Sequence, residues 1–241
     1  QRIQEELNKI LKPMTFYIAD GHHRFRTAVD FMQECEEKGW KTGGVESFDK
    51  RMMALFNMES PGLRILATHR ALRGLLDFSL KEFLTALASE FEVRPENSLA
   101  ELRGVLNRSS KTIGMISGRP LRAYSVRPRE GLPSGLRGLP RTSADLDVNL
   151  LHHGILEPLL GIGRVELAAQ SHVDYFRDAD RLAERVEAGV YSLGFLLRPT
   201  TLDQVRRCSD EGIMMPQKST DFFPKLLTGL VFSQMVISKD Q

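Results

Sequence analysis

The residue types with the most evident chemistry lie together near the start of the chain, in the run Asp20-Gly21-His22-His23-Arg24. A glycine lets a ligand approach the backbone closely, and an arginine in the first turn of a helix can hold two phosphate oxygens. A carboxylate can cap a helix, bind a metal or take a proton, and histidines move protons near neutral pH. Because a helix start carries unpaired N–H groups and a partial positive charge, this run predicts a phosphate-binding active-site element.

The same run also allows simpler interpretations. Asp20 could merely cap the helix while His22 and His23 lie on the surface without a function. A metal site built from the two adjacent histidines alone is disfavoured, because neighbouring side chains on a helix diverge. We therefore take Asp20, His22 and His23 as candidate catalytic residues and Gly21 and Arg24 as candidate phosphate-binding residues. We assign no metal ligands in the run.

The segments on either side of this run would position it. Thr15 to Ala19 is short, apolar and aromatic, which is typical of a buried strand. From about His23 to Lys38 apolar residues recur three or four positions apart, which predicts a helix closed by Gly39. The sequence thus predicts a strand, a tight turn and a helix, with the charged run at the turn.

A second candidate segment lies near the end of the chain, at Met215 to Thr220. Lysines beside hydroxyl side chains, stiffened by prolines, predict an oxyanion clamp formed by Lys218, Ser219, Thr220 and Lys225. The segment lacks the glycine-rich prelude of a Walker A loop. An exposed polar loop without a function is the alternative.

A third segment, Ala67-Thr68-His69-Arg70, follows an apolar run that ends at Leu66. A histidine beside an arginine at the end of a strand is a candidate phosphate neighbour, so His69 joins the predicted phosphate-binding set. The alternative is that Thr68 caps a following helix. The remaining histidines of interest are expected to be structural: His152, His153 and His172.

The rest of the chain indicates an irregular succession of strands and helices. Strands are predicted at 51–58, 63–66, 111–117, 121–126 and 192–197. Helices are predicted from Ser79 as N-cap, at 97–106, 145–160 and 178–188, and from Thr201 to near Gly212, with a glycine- and proline-rich loop at 131–140. This order favours an α+β fold, a mixed sheet with flanking helices, over a doubly wound parallel sheet. The Gly43-Gly44 pair in a loop at 41–48 predicts a domain boundary, with domains at 1–44 and 45–241.

Composition excludes several classes of protein. The chain has 241 residues, 41% hydrophobic and 27% charged, with a net charge of +2, which argues against nucleic acid and membrane as partners. Nine basic residues and one acid lie between Arg103 and Arg141, as a solvated face or a surface for an anionic substrate. Cys35 and Cys208 lack CxxC partners, so neither a disulfide framework nor a zinc site is expected, and a reducing cytoplasm fits best.

The three segments together resemble a microbial family of uncharacterised proteins, domain of unknown function 1015. Its members carry an "IADGHHR..TA" stretch, here Ile18 to Arg24 with Thr27 and Ala28. They also carry "PTHR", here 67–70, and "MP.KST.F.PK..TG", here 215–229.

This chain departs from the family pattern at three positions. Ala67 replaces the usual proline, which weakens the case for a rigid turn before His69. Gln217 and Asp221 stand where the family often has proline and tyrosine.

At a more remote level the run at 20–24 is similar to the phosphate-binding box of the ParB and sulfiredoxin superfamily, which includes nucleotide-dependent free serine kinases. The resemblance implies that residues 1–44 are the remnant of such a domain, to which the segment around Lys218 returns. It implies a small-molecule kinase that uses Mg²⁺ with a nucleotide or pyrophosphate, with free serine as a candidate acceptor. The alternative is a nucleotide-dependent interaction module, or one like a DNA-partition protein, without turnover of a small molecule.

The start of the chain adds one expectation. Gln1 is not an initiator methionine and lies inside a helical pattern that includes Ile3, Leu7 and Ile10. Family members also carry a longer N-terminal half, so the chain is interpreted as a C-terminal fragment, which would be inactive if that half holds catalytic residues. Exposed edges of the strand at 15–19 would then favour a homo-oligomer.

Overall fold

The computed structural model describes residues 2–40, 48–227, 229–230 and 232, and the chain divides into two compact units. The first unit consists of Gln1–Arg64 with Phe222–Gln241, and the second of Ile65–Asp221. The predicted loop at 41–48 lies outside the described residues except for Phe48. The domain boundary after residue 44 therefore stays a prediction.

Two helices form most of the regular structure described in the first unit: α1, Arg2–Leu11, and α2, His22–Glu37. Helix α2 begins one residue before its predicted start, directly after the turn at Gly21. Gly39 follows its C-terminus with a φ of 69°, a left-handed conformation that favours glycine. The helix predicted after the charged run is therefore confirmed.

The strands predicted at 15–19 and 51–58 are wrong. Both segments are irregular, and their Phe16 and Phe56 side chains are about half exposed. A strand needs a neighbour to accept and donate its backbone hydrogen bonds, and apolar composition does not supply one. The run at 63–66 contributes only the two-residue strand β1, Arg64–Ile65.

Six strands of the second unit form one sheet: β2 His69–Leu72, β3 Phe91–Glu96, β4 Ile113–Ser117, β5 Arg122–Pro128, β6 Val173–Phe176 and β7 Leu193–Leu196. Their order across the sheet is β3-β5-β4-β7-β2-β6, and the five neighbouring pairs are antiparallel. The strands predicted at 111–117 and 121–126 form the hairpin β4–β5, in which Met115 lies opposite Tyr124. The combination of helices with this sheet confirms the α+β class.

Eight helices accompany the sheet: α3 Leu80–Leu87, α4 Leu99–Arg108, α5 Arg141–Ala144, α6 Asp147–Leu151, α7 Glu157–Leu160, α8 Arg164–Ala169, α9 Ala179–Glu187 and α10 Leu202–Asp210. A π-helical turn at His152–Leu156 joins α6 to α7, so the helix predicted at 145–160 is confirmed as a nearly continuous stretch. The predicted N-caps are confirmed as well: Ser79 accepts a hydrogen bond from the Glu82 N–H, and Thr201 caps α10 in the same way.

Alternate residues of the central strands face two separate cores. Met115 and Phe195 belong to the core on one face of the sheet, whereas Ile116 and Leu196 belong to the core on the other. On the second face α9 packs so closely that a Cβ at Gly194 would lie 3.2 Å from the Leu182 side chain of that helix, and 2.7 Å from the Ile116 side chain of β4. Because both faces are covered, the middle of the sheet is the most buried part of the second unit.

The two edge strands, β3 and β6, are not predicted from the sequence. Strand β3 contains Pro95, which an edge strand tolerates because one side of its backbone needs no partner. The predicted loop at 131–140 contains a short 3-10 turn, Ser134–Leu136, with Leu136 fully buried. Within the described residues, none of the helices combines the length and the apolar character needed to cross a bilayer.

Candidate functional site

The start of α2 has the features of an anion-binding site. Gly21 is the N-cap residue in a left-handed conformation, with a φ of 86°, and no side-chain hydrogen bond caps the helix among the described residues. The Phe25 N–H donates to the Gly21 carbonyl at 2.8 Å, which closes the first turn. The N–H groups of the three residues before Phe25 belong to the turn that has no acceptor within the helix. They are therefore the natural donors to a bound anion.

Asp20 does not cap this helix in the usual way, because its Oδ1 accepts from the adjacent Gly21 N–H at 2.8 Å. Its Oδ2 lies 3.5 Å from Lys225 Nζ and 3.9 Å from an Arg24 guanidinium nitrogen. One carboxylate thus lies between two cations, one of them from the far end of the chain. The side chains are 62% exposed for Asp20, 78% for Arg24 and 43% for Lys225, so these ion pairs contribute little stability and can exchange for a ligand.

The side chains at the start of α2 are exposed. Arg24 lies in the first turn as predicted, but its guanidinium is largely in solvent. A Cβ added at Gly21 would lie 3.0 Å from that guanidinium, so the glycine gives Arg24 room to fold back over the turn. His22 and His23 are also exposed, on consecutive positions of the helix.

The residues predicted at Met215 to Thr220 belong to the second unit, where hydrogen bonds define a tight turn. The Ser219 hydroxyl donates to the Pro216 carbonyl at 2.6 Å, and the Thr200 hydroxyl donates to the Ser219 carbonyl at 2.7 Å. Lys218 is exposed and has a φ of 58°, which is unusual for a residue with a side chain. Thr220 is half-buried. The segment is therefore an ordered turn and not a plain polar loop.

His69 is not at the end of a strand followed by a helix, as the sequence suggested, but is the first residue of β2. It is 7% exposed, and its Nδ1 accepts a hydrogen bond from the Leu197 N–H at 3.2 Å. Burial, reinforced by the neighbouring Arg70, lowers the pKa of His69 to about 4. The imidazole is therefore neutral at physiological pH and supplies no positive charge.

The sequence reasoning did not include Arg70 in the predicted site. Its side chain is 1% exposed on β2, the strand beside the edge strand β6, and burial lowers its pKa to about 10, so it stays charged near neutral pH. His152 is buried nearby, and burial together with Arg70 lowers the pKa of His152 to about 3. The one signal in the sequence is a charged residue directly before the apolar pair that completes β2.

The described residues contain no group of three or more His, Cys, Asp and Glu side chains that could hold a metal. Mg²⁺ bound with a nucleotide is usually held by phosphate oxygens, water and one or two carboxylates. Asp20 is an exposed carboxylate beside the helix start and fits that limited role. The described residues at the start of α2 are thus compatible with a metal that arrives with the phosphates.

Comparison with known proteins assigns the chain to a family. The family model for proteins of unknown function (DUF1015) matches residues 1–149, more than half of the chain. The chain belongs to this family. The matched part includes both the 20–24 run and β2. Among curated proteins there is no significant match.

Several solved structures are similar to this DUF1015 protein. A free serine kinase variant in complex with AMP is 14% identical, with a TM-score of 0.44, over 82% of this chain and 79% of that chain. A variant in complex with ADP is 16% identical, with a TM-score of 0.46, over 85% and 66% of the two chains. A conserved hypothetical protein from Pyrococcus furiosus is 13% identical, with a TM-score of 0.44, over 82% of both chains.

Proposed function

We propose that this protein binds the phosphate groups of a nucleotide or pyrophosphate at the start of α2 and transfers a phosphoryl group to a small hydroxyl compound. The observation that carries the proposal is an uncapped helix start at which a carboxylate lies between two cations. Backbone N–H groups aligned with a helix dipole attract phosphate, and exposed cations beside them can form ion pairs with it. Free serine is a candidate acceptor on the resemblance of the 20–24 run alone.

The donor phosphates would be held by backbone and side chain together. The N–H groups after Gly21 would donate to one phosphate, and Arg24 would close over it as a fork. Lys225 Nζ lies 3.5 Å from the Asp20 carboxylate and would exchange this partner for the phosphate when the ligand binds. This exchange costs little because the present ion pairs are exposed.

The acceptor hydroxyl must lose a proton during the transfer. Asp20, released from Lys225, is the candidate base, and His22 or His23 are alternatives on the adjacent positions. Mg²⁺, when bound, would neutralise charge on the phosphates, with Asp20 as its protein ligand. The roles of base and metal ligand compete for the same carboxylate.

Residues of the second unit are assigned roles within that unit. Lys218, Ser219 and Thr220 are candidates for an anion clamp there, with Lys218 as the charged member. Neutral, buried His69 would instead hold the start of β2 through its bond to the Leu197 N–H.

The proposal is tested by separating binding from turnover. Asp20→Asn keeps an acceptor for the Gly21 N–H, so nucleotide binding is expected to persist while phosphoryl transfer falls by about 100-fold or more. Asp30→Asn, on the exposed side of the same helix, is the matched control and leaves both unchanged. The assay supplies ATP, ADP or pyrophosphate with Mg²⁺, and offers serine and other hydroxyl compounds as acceptors. Equal turnover in both variants contradicts the role of Asp20.

The same experiment separates the enzyme from a nucleotide-dependent interaction module. Binding of nucleotide by the full protein without transfer to any acceptor favours the interaction module. Absence of both nucleotide binding and phosphoryl transfer contradicts the proposed phosphate site itself.

A further inference from the structure

Arg70 is a buried cation for which the described residues supply no carboxylate. One η-nitrogen donates to the Thr68 carbonyl, the other donates to the Lys218 carbonyl at 3.0 Å, and the guanidinium lies 5.3 Å from the centre of the Tyr175 ring. Its Nε has no hydrogen-bond partner among the described residues. Burying a charge is costly unless the charged group is hydrogen-bonded, and here two backbone carbonyls accept hydrogen bonds from the guanidinium.

The hydrogen bond from Arg70 supports the backbone conformation of Lys218. A residue with a side chain at a φ of 58° is strained, so the turn needs support from its neighbours. Arg70 fixes the Lys218 carbonyl, and Thr200 fixes the next carbonyl, that of Ser219. The turn is therefore held in place by hydrogen bonds from Arg70 of β2 and from Thr200.

Lys218 also lines an open groove of about 700 Å³ beside the edge strand β6. That volume lies within the usual range for small-molecule sites. Three aromatic side chains contribute to its wall: Tyr175, Phe176 and Tyr191. Such rings can stack on a planar ligand and leave room for its polar end.

The charges of the groove are not equally available. Arg177 is paired with Asp221 at 2.9 Å, and Asp178 caps α9 through the N–H of Asp180 at 2.8 Å. Lys218 and Arg181 form no ion pair with the described residues. Asp174, the other carboxylate of the lining, pairs with Arg73 at 2.8 Å, so the groove offers two cations that have no ion-pair partner among the described residues, together with several rings.

We propose that this groove binds a small molecule that carries a phosphate beside an aromatic ring, and that Arg70 is the buried positioning residue that holds Lys218 for it. Lys218 and Arg181 bind the phosphate, and Tyr175 contacts the ring. The inference stands on the second unit alone and does not require phosphoryl transfer.

The probe for the groove is AMP, observed locally by ¹⁹F NMR of fluorotyrosine-labelled protein. Tyr175→Phe assigns the Tyr175 resonance, and the titration is carried out in the Arg24→Ala background as well as in the wild type. A saturable shift of the Tyr175 signal in both backgrounds is expected. Loss of AMP binding at α2 then leaves the groove signal intact, so the two proposals fail separately. Absence of a saturable shift at Tyr175 in both backgrounds overturns the groove proposal.

Two variants test the positioning role of Arg70. Lys218→Ala weakens AMP binding at the groove by about tenfold, while Lys81→Ala, an exposed lysine of α3, leaves it unchanged. Arg70→Lys keeps the charge but cannot bond to both carbonyls. It should weaken AMP binding when Lys218 is present and cause little further loss of affinity in the Lys218→Ala background.

If Arg70→Lys fails to fold, Thr200→Val is a second variant that tests whether the turn at Lys218 must be held in place for AMP to bind. It removes the bond to the Ser219 carbonyl and is expected to weaken AMP binding only while Lys218 is present. Additive losses in the double variants overturn the positioning role. Unchanged affinity in folded Lys218→Ala overturns the assignment of the phosphate contact.

Discussion

The start of α2 and the start of β2 each place a histidine next to an arginine, and the surroundings give these pairs opposite properties. His23 and Arg24 are exposed, and the Arg24 guanidinium lies 3.9 Å from the exposed carboxylate of Asp20. His69 and Arg70 are buried, and Arg70 is committed to backbone carbonyls. Exposed charges can change partners at little cost and therefore suit a ligand, whereas a buried charge fixes the structure around it. The same residue types thus suit ligand binding in one region and support the architecture in the other.

The largest expected difference between the two regions is in their dependence on pH. Burial lowers the pKa of His69 to about 4 and that of His152 to about 3, against about 6.5 in the unfolded chain. Between these values the unfolded chain binds protons that the folded chain does not, so stability falls as the pH is lowered from 6.5 towards 4. The loss is on the order of 3 kcal/mol for each histidine.

Urea denaturation followed by circular dichroism at pH 7 and pH 4.5 measures this loss. His152→Leu should reduce the dependence on pH, whereas His22→Gln, at the exposed site, should leave it as in the wild type. Equal effects of the two substitutions would remove the contrast between the regions.

Truncation of the buried arginine gives the next largest effect. Arg70→Ala leaves a cavity and two carbonyls without their donor, those of Thr68 and Lys218, which lowers the free energy of unfolding by about 3 kcal/mol. Arg94→Ala removes a side chain that is 66% exposed on the edge strand β3, and its effect stays within about 0.5 kcal/mol. Denaturant midpoints measured side by side decide the comparison, and a midpoint for Arg70→Ala equal to that of the control contradicts it.

The smallest expected stability effect concerns the two glycines at the ends of α2. Gly21 and Gly39 have φ values of 86° and 69°, so an alanine at either position costs about 1 kcal/mol. Only the Cβ at Gly21 would meet the Arg24 guanidinium, at 3.0 Å, whereas nothing lies within 4 Å at Gly39. Gly21→Ala should therefore weaken pyrophosphate binding in calorimetric titration, and Gly39→Ala should not. Equal affinity in both variants would show that the turn does not shape the site.

Local signals in the sequence predict the elements that depend on neighbouring residues. The start of α2, the cap at Thr201 and the hairpin β4–β5 follow from turn residues and periodicity, and each is present. The position of a phosphate site at the start of α2 belongs to the same class of inference, because it needs only a glycine turn before a helix.

Features that depend on distant partners could not be predicted. The segment at 15–19 has the composition of a strand but lacks a ladder, and β6 carries a charged residue yet pairs with β2. Buried Arg70 contacts Tyr175 and the Lys218 carbonyl, which are far from it along the chain, and the approach of Lys225 to Asp20 joins opposite ends of the chain. Neither follows from spacing along the sequence.

The most direct test of the phosphate site compares two arginines of one helix. Arg24 and Arg26 are both exposed, but only Arg24 lies in the first turn beside Asp20. Calorimetric titration with Mg²⁺ and ADP should show about tenfold weaker binding for Arg24→Ala, the lower end expected for a hydrogen bond to a charged group, given its exposure. Arg26→Ala should bind within about twofold of the wild type. Wild-type affinity in folded Arg24→Ala, or equal losses in both variants, would contradict a phosphate site at the start of α2.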